Sequence, residues 1–177
     1  LSNLMGFAFW DKGLVYEGES VYNYLQVKSD DETTSLSTNV LFGVQSVYVK
    51  SGKLSGMYYD YAMAAPLMSG TVDSEKDILI LGMGTGTYAK QCLNYLPDVK
   101  AEGVEIDERI TDLAHEYFEL PEEVKVTTYD GRAFLNVRDK KYDVIMVDAY
   151  QDITIPFQMS SVEFFKLVKE HLKDDGV

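Results

Sequence analysis

The chain has 177 residues, of which 46% are hydrophobic, 12% aromatic and 25% charged. That balance argues against a disordered tail and suffices for one core-burying domain with a small appendage. Its 16 Lys and Arg against 29 Asp and Glu leave a formal charge of −13, which argues against nucleic acid as a partner, since backbone phosphates are bound through basic side chains.

A single cysteine, Cys92, leaves no intrachain disulfide framework and no cysteine-rich zinc site, and fits a reducing cytoplasmic setting. No apolar run approaches the ~20 residues that span a bilayer. Leu1 to Trp10 is apolar but lacks the basic leader of a signal peptide. Val15-Tyr16-Glu17, Tyr22 to Val27 and Val44 to Val49 alternate and are rich in Val, Tyr and Leu, with polar punctuation at Lys28 to Thr34 and at Ser51-Gly52-Lys53. This predicts a small antiparallel meander, with Ser29-Asp30-Asp31-Glu32 as a solvated hairpin tip. Met57 to Met68 reads as a helix stopped near Pro66.

From residue 77 the pattern changes to strands separated by helices. Asp77 to Leu81, Gly103 to Ile106, Val124 to Thr128 and Tyr142 to Asp148 read as strands. Thr87 to Leu96, the stretch through Ile110, Leu113, Ala114, Tyr117 and Phe118, and Ser160 to Leu172 carry apolar residues at helical spacing. Strands that are apolar on both faces and joined by helical crossovers predict a parallel sheet, and so an α/β fold. The change of style near residue 57 divides the chain into a β-meander domain over 1–56 and an α/β domain over 57–177. Asp174-Asp175-Gly176-Val177 reads as a helix stop followed by the first residue of another strand. The reading therefore places the C-terminal strands outside this sequence, as for a piece of a longer protein.

Gly82-Met83-Gly84-Thr85-Gly86 joins the first of these strands to its helix. Glycines there let the backbone turn tightly and approach a ligand at the positive end of the helix. Glu105 ends the second strand, where an acid accepts the two hydroxyls of a ribose. Asp130 and Asp148 follow the third and fourth strands, so three carboxylates gather on the rim where open α/β sheets bind ligands. Position 87 is Thr and not the third glycine of a dinucleotide loop, which favours a nucleoside without a pyrophosphate over a nicotinamide cofactor. His115 and His171 have no partners at ligand spacing, so no metal is expected, and Cys92 lies on an apolar stripe.

These residues resemble the spermidine synthase (polyamine aminopropyltransferase) family of the class I S-adenosylmethionine-dependent transferase fold. The likeness covers about residues 17–177. It includes Glu19 to Tyr24, Val44-Gln45-Ser46, Tyr58-Tyr59-Asp60, Asp148-Ala149-Tyr150-Gln151-Asp152-Ile153-Thr154-Ile155-Pro156 and Glu163-Phe164-Phe165. The resemblance implies a Rossmann-like class I methyltransferase fold behind the small β domain. It implies that Glu105 holds the ribose, that Asp130 and Gly131 meet the adenine, and that Asn23 and Pro156 flank the nucleoside beside the loop Gly82, Gly84, Thr85 and Gly86. Tyr58 and Tyr59 would flank the amine channel, Asp152 would hold the far ammonium of a diamine, and Asp148 would accept the proton. Thr85 stands where the family carries Asp, and Tyr59 where it carries His or Gln; Asp152 lies one residue further from Asp148 than usual.

The implied reaction moves an aminopropyl group from decarboxylated S-adenosylmethionine to a polyamine such as putrescine, releasing 5′-methylthioadenosine. Two alternatives stand beside it. Methyl transfer from S-adenosylmethionine would place uncharged Thr85 beside the methionine end of the donor, and a non-catalytic nucleoside or polyamine-binding module would bind without turnover. The resemblance further suggests a cytoplasmic homodimer. It also extends to spermidine synthase-like domains fused to membrane transporter-like segments.

Overall fold

In the N-terminal third, alternating side chains produce one more strand than the sequence reading expects. A computed structural model describes residues 11–39, 43–70, 74–149 and 155–177. In it β1 (Leu14–Glu19), β2 (Tyr24–Ser29), β3 (Thr33–Thr38) and β4 (Val44–Val49) form an antiparallel sheet in chain order. The additional strand is β3, Thr-Thr-Ser-Leu-Ser-Thr, whose first residues the sequence reading takes as punctuation. Leu36 is its only large apolar side chain, yet Thr34, Ser37 and Thr38 are buried with it. Thr is β-branched and suits a pleated surface, and the Thr34 hydroxyl pairs with that of Ser29 at 3.0 Å. The tip between β2 and β3 is the expected acidic run: Asp30 Oδ1 accepts from the Glu32 and Thr33 N–H groups at 2.8 and 2.7 Å.

The helix expected over 57–68 is two short ones, α1 (Tyr58–Ala62) and α2 (Ala64–Met68), with Pro66 inside the second. Proline is tolerated there because the first turn of a helix has no intrahelical partner for its missing N–H. The parallel unit follows: β5 (Lys76–Leu81), α3 (Thr87–Tyr95), β6 (Val99–Glu105), α4 (Glu108–Tyr117), β7 (Lys125–Thr128), α5 (Gly131–Val137), β8 (Val144–Val147) and α6 (Val162–Glu170). The helix α5 is absent from the sequence reading, which places no helix between the third strand and the fourth. Asp130 in fact caps α5, its Oδ1 accepting from the Ala133 N–H at 2.7 Å.

The strand order is β7-β6-β5-β8, all parallel. β5 is central and buried on both faces. Ile78 and Ile80 pack on one side with Ala89 and Cys92 of α3, whereas Leu79 and Leu81 pack on the other with Phe134 of α5 and Phe164 of α6. The chain therefore forms a Rossmann-like α/β layer structure with an antiparallel sheet attached. The attachment is a third apolar cluster in which Leu25, Val27 and Leu36 of the antiparallel sheet meet Ile110, Leu113 and Phe118 on or beside α4. Among the described residues no helix is long and apolar enough to cross a membrane. The last residue lies alongside β8, with Val177 N–H on the Asp143 carbonyl at 2.9 Å and its own carbonyl accepting from Ile145 at 3.0 Å.

Leu113 is fully buried in the seam between the antiparallel sheet and α4. Leu113→Ala is expected to lower the unfolding free energy by about 2–5 kcal/mol, read from urea denaturation. A loss below about 1 kcal/mol would show that this seam contributes little to the fold.

Candidate active site

Between β5 and β8 the chain order reverses, and at such a switch point the loops leaving the two strands diverge and open a crevice. The loop after β5 runs through Gly82-Met83-Gly84-Thr85-Gly86 into α3. Gly82 has φ of +79°, and a Cβ on it would stand 2.6 Å from the Asp148 carbonyl oxygen. Only glycine permits both that backbone and that approach. Gly84 donates its N–H to Glu105 Oε2 at 2.8 Å, and Gly86 forms the N-cap of α3.

Around this loop lies a cavity of roughly 370 Å³, near the lower end of the ~300–1,000 Å³ usual for small-molecule sites. The antiparallel sheet contributes Asn23, Thr38, Gln45 and Ser46 to its wall. The parallel sheet contributes Gly82, Glu105, Asp130, Gly131 and Asp148, and Tyr58, Tyr59 and Pro156 complete the sequence-predicted set. Three carboxylates line it, and no Lys, Arg or His does among the described residues.

Glu105 is the most enclosed of the three, 7% exposed. Burial pushes its carboxyl above the usual range, against the opposing pull of N–H bonds from Asp107 (3.1 Å) and Gly84 (2.8 Å). Burial also raises the Asp148 carboxyl, opposed by the hydroxyl of Tyr58, which donates to Asp148 Oδ2. Tyr58 is half-exposed and meets Tyr59 edge-on, with ring centroids 4.9 Å apart. A carboxylate with a raised pKa in a cleft is a stronger proton acceptor at neutral pH than a solvated one.

A family model of the spermine/spermidine synthase domain matches residues 57–177. The chain belongs to the spermine/spermidine synthase family. It is 63% identical, over its whole length, to a "Probable polyamine aminopropyl transferase" of Bifidobacterium longum, of which it covers 39%. A polyamine aminopropyltransferase of Chromobacterium violaceum is 31% identical over 59% of the chain, which covers 41% of that protein. The chain thus spans well under two thirds of the length of these relatives. A probable spermidine synthase of Corynebacterium glutamicum superposes with a TM-score of 0.76 at 22% identity, over 89% of this chain and 60% of its own. A spermidine synthase in complex with the transition-state analogue AdoDATO superposes at 0.72 and 17% identity, over 92% and 56%. Human methyltransferase-like protein 13 in complex with SAH superposes at 0.56 and 24% identity, over 68% and 60%.

Two of the sequence-predicted residues, Thr85 and Gly86, stand outside the cavity wall. Thr85 is fully buried, does not line the cavity, and its Oγ1 has no hydrogen-bond partner among the described residues. Gly86 caps α3 and does not line it either. Tyr59 lines the cavity, but its hydroxyl is committed to β4, accepting from the Val47 N–H at 3.1 Å and donating to the Val47 carbonyl at 3.3 Å. Asp152 and Tyr150 lie outside the described residues. The sequence reading missed Thr38, because it lay on the unrecognised β3, and Gln158, which a 3₁₀ turn over Phe157–Met159 brings to the wall. It also passed over Asp107, whose acid-before-helix position is the signal for an N-cap.

The raised Asp148 carboxyl fixes the sign of a pH effect on stability. A group with a folded pKa above its unfolded value stabilises fully below the unfolded value of about 4, and that contribution is lost as pH rises through the folded value. Asp148→Asn, neutral throughout, is therefore expected to gain Tm relative to the unsubstituted protein as pH rises from about 4 to 8. Thermal unfolding of both across that range checks it, and a pH-independent difference would contradict the buried-carboxylate account.

Proposed function

We propose that this chain supplies the donor site and the proton acceptor of an aminopropyltransferase, which moves an aminopropyl group from decarboxylated S-adenosylmethionine to a polyamine such as putrescine. The observation that carries the reading is a cavity with three carboxylates and no cationic side chain among the described residues. The decarboxylated donor bears a sulfonium and an ammonium, both attracted by such a wall. S-adenosylmethionine adds a carboxylate that the wall would repel.

Each residue then has a task. Glu105, oriented by two backbone N–H groups, accepts from the ribose hydroxyls. Asp130 and Gly131 meet the adenine, with Asn23 and Pro156 beside the nucleoside. The amine acceptor enters past Tyr58 and Tyr59, and Asp152 holds its far ammonium. The attacking nitrogen loses a proton to Asp148 and gives its lone pair to the carbon next to sulfur. The carbon–sulfur bond breaks with its electron pair on sulfur, and neutral 5′-methylthioadenosine leaves. Tyr58 fixes the carboxylate by donating to Oδ2. Alignment of nitrogen, carbon and sulfur in the closed crevice supplies much of the remaining barrier reduction.

Methyl transfer drew its support from an uncharged Thr85 beside the donor, and the burial of Thr85 away from the cavity removes that argument. The reading extends to a cytoplasmic homodimer in which no metal takes part.

In the whole protein, Asp148→Asn is expected to lower turnover by about 10²–10⁴ while 5′-methylthioadenosine affinity stays within about threefold. Turnover of the unsubstituted enzyme should rise with pH through the raised Asp148 pKa, and the variant should lose that limb. Undiminished turnover would remove Asp148 from the chemistry. Saturable binding without turnover for every amine would make the chain a binding module.

A further inference from the structure

We propose that Asp107 is a positioning residue, which holds the β1–β2 turn through its buried carboxylate and Glu105 through its backbone N–H, so that one residue couples both walls of the nucleoside site. The proposal rests on the functional reading only in calling the occupant a nucleoside. Asp107 is 2% exposed and does not itself line the cavity. As the N-cap of α4 it needs one oxygen, and Oδ1 fills that role by accepting from the Arg109 N–H at 3.1 Å. Oδ2 is committed elsewhere: it accepts from the Ser20 hydroxyl at 2.6 Å and from Asn23 Nδ2 at 2.8 Å. Those partners lie 87 and 84 positions away in the chain, on the opposite sheet.

On one side the contacts continue into the turn. The Ser20 hydroxyl oxygen accepts from the Tyr22 and Asn23 N–H groups at 3.1 and 2.9 Å, and Asn23 Oδ1 accepts from Asn39 Nδ2 at 2.9 Å. Tyr22 and Asn23 both face the cavity. On the other side, the Asp107 N–H donates to Glu105 Oε1 at 3.1 Å, and Glu105 Oε2 holds the Gly84 N–H. The result is one connected path from the end of β3 through the turn, Asp107 and Glu105 to the glycine loop. All three donors to the Asp107 carboxylate are neutral, so the charge strengthens each bond and has no cation to share it with. A residue needed only to start α4 would leave Oδ2 to water. The geometry instead makes the turn and the ribose carboxylate move as one unit.

The test uses Asp107→Asn and the exchanged pair Asn23→Asp/Asp107→Asn. Asn caps a helix as well as Asp, so α4 keeps its start, but one acceptor oxygen becomes a donor facing donors. The exchanged pair restores a donor–acceptor match across the same gap. In the ligand-free single variant, hydrogen exchange at the Asn23 and Gly84 amides is expected to quicken about tenfold, the loss of one charge-assisted bond. Amides of Leu79 and Ile80 in β5 should stay unchanged, and the exchanged pair should restore both sites. Affinity for 5′-methylthioadenosine should fall about tenfold in the single variant. Unchanged Gly84 exchange would overturn the coupling whatever binds in the cavity. If exchange quickens throughout β5 as well, the exchanged pair decides, and failure to restore Gly84 protection overturns it. Absence of 5′-methylthioadenosine binding by the unsubstituted chain would overturn the functional reading alone, because the exchange data stand without ligand.

Discussion

The carboxylate of Glu105 is the constraint around which the mouth of the parallel sheet is built. An ionised carboxyl this far from water costs several kcal/mol unless donors meet it. The donors that do so are backbone N–H groups from two different places, the glycine loop at Gly84 and the start of α4 at Asp107. Satisfying one charge therefore fixes the loop, the strand end and the helix start relative to one another. Side-chain donors could swing away, whereas peptide N–H groups keep their positions as long as the elements carrying them persist. This holds the carboxylate in place at the cavity wall, and such pre-organisation reduces what a ligand must expend in ordering its own site.

The remaining charges follow the same logic. Asp130 is tied to the Ala133 N–H and Asp148 to Tyr58, so these two rim acids are also held in place by a hydrogen bond. Burial raises the carboxyls of Glu105 and Asp148, so negative charge on the cavity wall comes at a cost that a cationic occupant relieves. The formal charge of −13 on the chain extends that field outward and favours the approach of cations. A wall of this kind supports a sulfonium nucleoside and an amine on one physical ground, without a separate recognition device for each.

Strands buried on both faces were the most legible part of the fold. Ile78 to Leu81 reads as a run without alternation because α3 covers one side and α5 and α6 the other. The glycine loop and Glu105 were legible for a similar reason, since a tight strand-to-helix turn and an acid at the next strand end are local signals. β3 was missed because its burial is achieved by Thr and Ser, whose polarity mimics a loop, and α5 because its seven residues are too few to display a period. Thr85 was misplaced for a different reason: a loop position tells nothing of which way the side chain turns once the adjacent glycines adopt positive φ. The second commitment of Asp107 was invisible because its partners are separated from it by most of the chain.

The proposed selection of the donor rests on an acidic cavity with no cationic side chain among the described residues. Its most direct test is calorimetric titration of this chain with decarboxylated S-adenosylmethionine and, separately, with S-adenosylmethionine, at the same ionic strength. The account predicts at least about tenfold tighter binding of the decarboxylated form, about 1.4 kcal/mol. Equal binding, or preference for the carboxylated form, would contradict it.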